Sequence, residues 1–214
     1  MTHLDTKLSS SAEQELQRLI EGNQRFVRGE ARFPTVCKET LAALTKGQEP
    51  FATILGCSDS RVPPELIFDA NFGDLFIIRV AGNVISPEIK GSLQYAGAHL
   101  HTPLFVVLGH EDCGAVQAAL QYGRHGSREA SHIQLLVDNI NRGLHITYDS
   151  DDQHLLTKAV EANVRWSMKQ IRETPEWRHA KTGGAKLVGA VFELATGEVR
   201  FLRTGFARRA THAA

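Results

Sequence analysis

Two cysteines and one histidine lie just beyond short apolar runs, and they are the strongest chemical signal in this sequence. Cys57 follows the run 51–55, and His110 and Cys113 follow the run 104–108. The carboxyl ends of parallel strands share one edge of a sheet, so we expect the three side chains to converge there. Thiolate and imidazole are donors suited to tetrahedral zinc. Three ligands with no evident fourth cysteine or histidine leave an open position, which is typical of a catalytic zinc site.

Each of the three residues has a simpler explanation when it is taken alone. Buried cysteines and hydrogen-bonded core histidines are common in globular proteins. Their combination at the ends of two strands is what favours a metal site. Other cysteine chemistry fits less well, because Pro63 stands where a phosphatase loop needs arginine and the sequence has no CxxC pair. Cys37 has no such neighbours, and we expect it to be structural or incidental.

The elements that would position these side chains alternate between apolar runs and helical patterns. Apolar, β-branched runs predict buried strands at 51–55, 75–80, 104–108 and 187–194. Helical periodicity falls between them at about 62–69, 88–100, 111–122, 129–142 and 152–173. This alternation predicts an α/β fold with a mostly parallel central sheet of four strands, flanked by helices. The run 199–202 follows a turn and would add an antiparallel edge strand at the C-terminal end.

A helical arm precedes the first predicted strand. Apolar residues recur at helical spacing over about 11–29, and Gly29 ends the pattern. The apolar stripe of this arm needs a covering surface, either from the main body of the chain or from a second subunit.

Composition limits the class of protein. The chain has 214 residues, with 24 Lys+Arg against 24 Asp+Glu and 42% hydrophobic residues. This length predicts a single domain over 1–214, and the balanced charge argues against nucleic acid or an anionic membrane as the partner. No apolar run approaches the ~20 residues that span a bilayer. Three cysteines are too few for a disulfide framework, so we expect a cytoplasmic protein with reduced or metal-bound thiols.

Two spaced signatures and their flanking segments carry a family resemblance. Residues 57–61 read CSDSR, which matches CxDSR, and residues 110–113 read HEDC, which matches HxxC. The flanking segments are 21–26 (EGNQRF), 79–83 (RVAGN) and 188–192 (VGAVF). In these features the sequence resembles the β-class carbonic anhydrases, and the similarity covers most of the chain.

The resemblance implies that Cys57, His110 and Cys113 bind one Zn²⁺ per subunit and that Asp59 and Arg61 form the catalytic dyad. Zinc lowers the pKa of bound water toward neutrality and so produces hydroxide that attacks CO₂. Asp59 would accept a hydrogen bond from that hydroxide, and Arg61 would keep the carboxylate ionised. Because two thiolates cancel the charge of the ion, we expect the water to titrate somewhat above neutral pH, with activity rising toward alkaline pH.

The resemblance also implies a substrate pocket shared between subunits. Gln48, nine residues before Cys57, matches a glutamine that orients substrate in plant-like members, and Phe76 and Tyr95 match an aromatic wall. Tyr95 is expected to come from a neighbouring subunit. Alternatively, Gln48 could be an ordinary turn residue and the two rings core aromatics. A homodimer is the minimum expected assembly, and tetramers are common among relatives.

Asp59 has a second conceivable role, because a carboxylate that leaves Arg61 could become a fourth zinc ligand and close the site. Some members of the family switch in this way, and those with a bicarbonate-regulated closed form carry tryptophan three residues before the first zinc cysteine. This sequence has Ile54 at that position, and we expect an open resting site.

The expected activity is the zinc-dependent reversible hydration of carbon dioxide to bicarbonate and a proton. One alternative is hydrolysis of carbonyl sulfide or carbon disulfide on the same scaffold, although those relatives usually depart from the CxDSR pattern. Another is a non-catalytic zinc-binding subunit, which would not need Asp59 and Arg61 in working positions.

Overall fold

The fold is built on one five-stranded sheet. The structure, a computed structural model, describes residues 11–32, 38–145 and 154–203. The strands are β1 (Ala52–Gly56), β2 (Leu75–Arg79), β3 (Leu104–His110), β4 (Lys186–Phe192) and β5 (Val199–Phe201). Their order is β2-β1-β3-β4-β5, and only β5 runs antiparallel, against β4. The predicted α/β fold with four parallel strands and an antiparallel edge strand is confirmed.

The described part of the chain forms eight α-helices around this sheet. They are α1 (Ala12–Val27), α2 (Lys38–Leu44), α3 (Pro64–Ile67), α4 (Pro87–Ala98), α5 (Gly114–His125), α6 (Ser131–Asn141), α7 (Leu155–Arg172) and α8 (Pro175–Thr182). Two of them, α2 and α8, were not predicted. A cap starts α8, because the Thr174 hydroxyl accepts the Trp177 N–H at 3.2 Å and Pro175 suits the first turn. None of the described helices is long and apolar enough to cross a bilayer.

Continuous burial of the central strands explains why their sequences are apolar runs rather than alternating patterns. Every residue of β1 and β3 is buried, whereas β2 at the sheet edge is mostly half-buried. Strands covered by helices on both faces have no solvent-facing side, so apolar residues occupy successive positions. The two strands that end next to Cys57 and His110 therefore lie in the most buried part of the molecule.

The N-terminal helix α1 packs on its own chain. Leu19 is fully buried in the main core, and the Asn23 side chain donates to the carbonyls of Ile67 and Gly197 at 3.2 and 2.8 Å. Asn23 also accepts the Val199 N–H at 2.8 Å. The main body thus covers part of the apolar stripe of the arm. Leu16, Ile20 and Phe26 stay half-buried, and Val27 is 41% exposed.

Candidate metal centre

The three predicted ligands meet at the carboxyl edge of the sheet. Cys57 directly follows β1, His110 is the last residue of β3, and Cys113 caps the N-terminus of α5. All three are buried, and their candidate ligand atoms lie within 4.8 Å of one another. The two sulfur atoms, on Cys57 and Cys113, are 4.0 Å apart. Neighbouring parallel strands and one tight turn into a helix are sufficient to gather this donor set. Cys37 lies outside the described residues.

The histidine ring is oriented so that one nitrogen remains free for a ligand. Nδ1 of His110 lies 2.7 Å from the carbonyl oxygen of Glu111, which it can meet only as a donor. Nε2 is buried and has no hydrogen-bond partner. A buried polar atom without a partner is costly in a finished fold, and a metal ion would satisfy it. One imidazole nitrogen and two sulfurs at this spacing fit a zinc ion.

The electrostatics of the two cysteines already favour a thiolate. A hydrogen bond from Cys113 lowers the pKa of the Cys57 thiol, against the opposing effect of burial. The same bond holds the proton on Cys113 and raises the pKa of that thiol. The backbone N–H of Gly82 also donates to Cys57 Sγ at 3.3 Å. Cysteine binds metal as the thiolate, so this cluster is electrostatically prepared for a cation.

Asp59 and Arg61 form a closely paired dyad at the mouth of the cluster. Arg61 donates from Nε to Oδ1 of Asp59 at 2.9 Å and from Nη2 to Oδ2 at 2.7 Å. The backbone N–H of Arg61 makes a third bond to Oδ1 at 2.9 Å. The guanidinium bonds hold the pKa of the Asp59 carboxyl well below its usual range. Oδ2 lies 3.9 Å from His110 Nε2, so this carboxylate faces the free ligand nitrogen.

The three predicted substrate residues do not lie near this cluster within one chain. Phe76 pairs in register with Thr53, four residues before Cys57, which places it roughly 13 Å back along the strands. The Tyr95 ring lies 6.1 Å from the Phe76 ring, between centroids, and is 47% exposed. Gln48 is exposed and precedes β1, at its amino end. Phe76 and Tyr95 therefore lie together toward the opposite end of the sheet, and Gln48 lies in the segment that leads into that end.

The predicted site omitted two residues that support the cysteine loop. Arg79 donates from Nε to the Cys57 carbonyl at 2.8 Å and from Nη2 to the Asp59 carbonyl at 2.5 Å. Gly82, in a short 3-10 turn (Ala81–Asn83), donates to the Cys57 sulfur as described above. The sequence pointed to these residues only through the segment 79–83, which carries part of the family resemblance. That segment contains neither a set of metal ligands nor an acid–base pair, so sequence reasoning gave it no role.

Comparison with protein families and curated proteins agrees with this architecture. The family model described as carbonic anhydrase matches residues 52–199, which is more than half of the chain. Carbonic anhydrase 2 of Mycobacterium tuberculosis is 45% identical over 122 residues, covering 57% of this chain and 59% of that protein. The alignment thus spans less than two thirds of that relative. The carbonic anhydrase of Mycolicibacterium smegmatis is 35% identical and covers 85% of this chain and 88% of that protein.

Solved structures place the fold in the same group. The β-carbonic anhydrase CcaA is 28% identical and superposes with a TM-score of 0.68, over 91% of this chain and 94% of that chain. A tetrameric β-carbonic anhydrase from Sordaria macrospora, 24% identical, has the same fold with a TM-score of 0.71 over 91% of this chain and 100% of that one. Because the family model, relatives aligned along most of the sequence and the shape of the sheet all agree, this chain belongs to the carbonic anhydrase family and to its β class.

Proposed function

We propose that this protein catalyses the reversible hydration of carbon dioxide to bicarbonate and a proton, with one Zn²⁺ per subunit held by Cys57, His110 and Cys113. The observation that carries the proposal is the position of Asp59, whose Oδ2 faces the unpartnered His110 Nε2 at 3.9 Å. A structural zinc site does not require an ionised carboxylate beside the metal ligands. A hydration reaction, in contrast, needs a hydrogen-bond acceptor beside the reacting water.

The donor set supports zinc in preference to harder cations. Two sulfurs and one imidazole nitrogen are typical zinc donors, whereas magnesium and calcium prefer oxygen ligands. When bound, the ion would supply Lewis-acid chemistry that lowers the pKa of water and makes hydroxide available near neutral pH. His110 contributes the Nε2 lone pair because its other nitrogen donates to the Glu111 carbonyl.

Asp59 acts as the acceptor that orients the attacking oxygen. Its Oδ2 accepts a hydrogen bond from the reacting water and thereby directs the oxygen lone pair toward the carbon of CO₂. Arg61 contributes by holding that carboxylate ionised and in place through three bonds, two from its side chain and one from its backbone. The same bonds keep Asp59 turned toward Arg61, which supports an open resting site in which Asp59 is not a fourth ligand.

We further propose that the substrate pocket is completed by a second copy of the chain. Gln48, Phe76 and Tyr95 group at the end of the sheet opposite the cluster, so within one subunit they cannot contact CO₂ bound beside Asp59. A partner related by a two-fold axis can bring these residues to the site. A homodimer is the minimum assembly, and a tetramer would repeat the same pairing. Because Cys57 and Cys113 form no disulfide with each other and are proposed to bind metal as thiolates, we place the protein in the reducing cytoplasm.

Metal analysis combined with a CO₂ hydration assay from about pH 6.5 to 9 tests the proposed function. We expect about one zinc per chain and a rate that rises toward alkaline pH. Asp59→Ala should retain zinc but lose most of the turnover, by about 100-fold or more. His110→Ala should lose the metal itself. Unchanged turnover in Asp59→Ala would refute the dyad, and a metal-free wild type would refute the zinc site.

The substrate assignment is tested in the same preparation. Carbonyl sulfide and carbon disulfide are also small, linear and apolar, so sulfide release should be measured beside CO₂ hydration. We expect CO₂ hydration to dominate, because the chain retains the complete CSDSR segment. Dominant sulfide release would reverse the assignment, and zinc binding with neither activity would indicate a non-catalytic subunit.

A further inference from the structure

The Cys57 sulfur receives a hydrogen bond from a backbone amide whose position is fixed by distant parts of the chain. The donor is the N–H of Gly82, 3.3 Å from Sγ, in the 3-10 turn that follows β2. Gly82 and Asn83 both have positive φ, 66° and 44°, so two consecutive residues adopt the left-handed conformation. Asparagine adopts that conformation more readily than other residues with a side chain, and contacts from the rest of the fold add to this preference.

Two buried polar side chains of α7 supply those contacts. Asn163 Nδ2 donates to the Gly82 carbonyl at 2.8 Å, and Ser167 Oγ donates to the Asn83 carbonyl at 2.8 Å. Both residues are almost fully buried, at 1% and 0% exposed. They are four positions apart, so they lie on one face of the helix, which is directed at the turn. Polar groups are costly to bury, and here both are used to bind successive carbonyls.

Apolar packing on the other side prevents the turn from relaxing. A Cβ atom at Gly82 would lie 2.8 Å from Ile140 Cδ1 and 3.1 Å from Ala115 Cβ, which shows how closely α6 and α5 approach the backbone there. Asn163 thus holds the carbonyl of the residue whose N–H meets the sulfur, and α5 and α6 approach its Cα closely.

We propose that Asn163 and Ser167 are positioning residues for the metal centre, which act through the Gly82 N–H to orient the Cys57 thiolate and moderate its electron donation. This inference rests on the metal site proposed above. An N–H···S bond withdraws electron density from the sulfur and fixes the direction of its lone pairs. Without the two side chains the sulfur would be a more electron-rich but less well oriented ligand. Outer hydrogen bonds of this kind typically change metal affinity by about 10–100-fold.

Purified protein loaded with Co²⁺ tests this role. The variants are Ser167→Ala and Asn163→Leu, each of which removes one donor at nearly constant shape. Thr102→Val is the matched control, because it removes a buried hydroxyl that bonds Thr53 at 2.8 Å near the amino end of β1. Three quantities are measured for each protein: the unfolding midpoint, the Co²⁺ affinity against a competing chelator, and the thiolate-to-cobalt charge-transfer band.

The expected result separates positioning from general destabilisation. Ser167→Ala and Asn163→Leu should weaken Co²⁺ binding by about tenfold or more and shift the charge-transfer band to longer wavelength. Thr102→Val should lower the unfolding midpoint while both metal readouts stay at wild-type values. If both α7 variants match Thr102→Val in affinity and band position, the positioning role is refuted while the metal site stands. If wild-type protein binds neither Co²⁺ nor Zn²⁺, the proposed metal centre itself is refuted.

Discussion

At the scale of single residues, Arg61 is the residue that gives Asp59 its protonation state. Its guanidinium hydrogen bonds keep the pKa of Asp59 below the usual carboxyl range, although burial acts in the opposite direction. A carboxylate with a lowered pKa stays ionised as pH falls through the ordinary carboxyl range, and it loses its acceptor role only below its own pKa. In the mechanism proposed above, Arg61 thus acts on the Asp59 carboxylate and not on CO₂.

Replacing Arg61 by methionine removes those bonds but keeps most of the side-chain volume. We expect kcat/KM to fall by about 10–100-fold near neutral pH, because Asp59 loses its fixed orientation. The pKa of Asp59 should also rise toward the ordinary carboxyl range. That range still lies below the assay window, so the loss of kcat/KM should be similar from about pH 6.5 to 9. The check is a pH profile of kcat/KM for both proteins.

Arg18→Met provides the matched control for that profile. Arg18 also pairs with an aspartate, Asp74, at 3.0 Å, and its side chain is exposed to the same extent, 50% against 51% for Arg61. Exposed pairs of this kind contribute little to stability. The Arg18 variant should keep the wild-type kcat/KM across this pH range, and an equal loss of kcat/KM in both variants would contradict the role given to Arg61.

At the scale of elements, the docking of α1 depends on a glycine. A Cβ added at Gly22 would lie 1.9 Å from the Phe68 carbonyl oxygen, which belongs to the backbone and cannot turn away. Gly22→Ala should therefore lower the free energy of unfolding by about 1–3 kcal/mol. Gly91→Ala is the control, since Gly91 lies in α4 with no atom within 4 Å of its added Cβ. That variant should be neutral or more stable by up to about 1 kcal/mol.

Denaturant unfolding of the two alanine variants measures this difference. Both substitutions favour helix formation equally, so any gap between them reports the contact of α1 with the end of α3. Equal stability of the two variants would show that α1 can shift without cost, and would remove the explanation for glycine at position 22.

Elements that carry the site could be predicted from the sequence, because burial on both faces leaves a strong apolar signal. β1 and β3 were found for this reason, and the residues just past them were the ligand candidates. The short helix α2 has no buried residue among those whose burial is described, so it left no periodic pattern to detect. Asn163 and Ser167 were missed for a related reason. Apolar periodicity identifies the helix that carries them but gives no sign of which polar residue is directed inward.

At the scale of the whole molecule, the metal-ligand cluster and the predicted aromatic residues lie at opposite ends of the sheet of one chain. The metal cluster lies beyond the carboxyl end of β1, whereas Phe76 and Tyr95 group near its amino end. No rearrangement of side chains closes a separation of roughly 13 Å along the strands. If both groups belong to one pocket, they come from different subunits, and this requirement can be measured without a structure of the assembly.

Complementation between two inactive variants tests that requirement. Asp59→Ala removes the acceptor, and Gln48→Ala removes the amide that would reach the partner's site, so each variant alone should be at least tenfold less active. In a mixed dimer both defects fall in one pocket and the other pocket is intact. Coexpression in equal amounts gives half mixed dimers with one good site each, so about a quarter of wild-type activity should return. Size-exclusion chromatography confirms that the mixed species are dimers or larger. If the pocket were formed within one chain, every site would carry a defect and the mixture would stay at the residual level of the two variants.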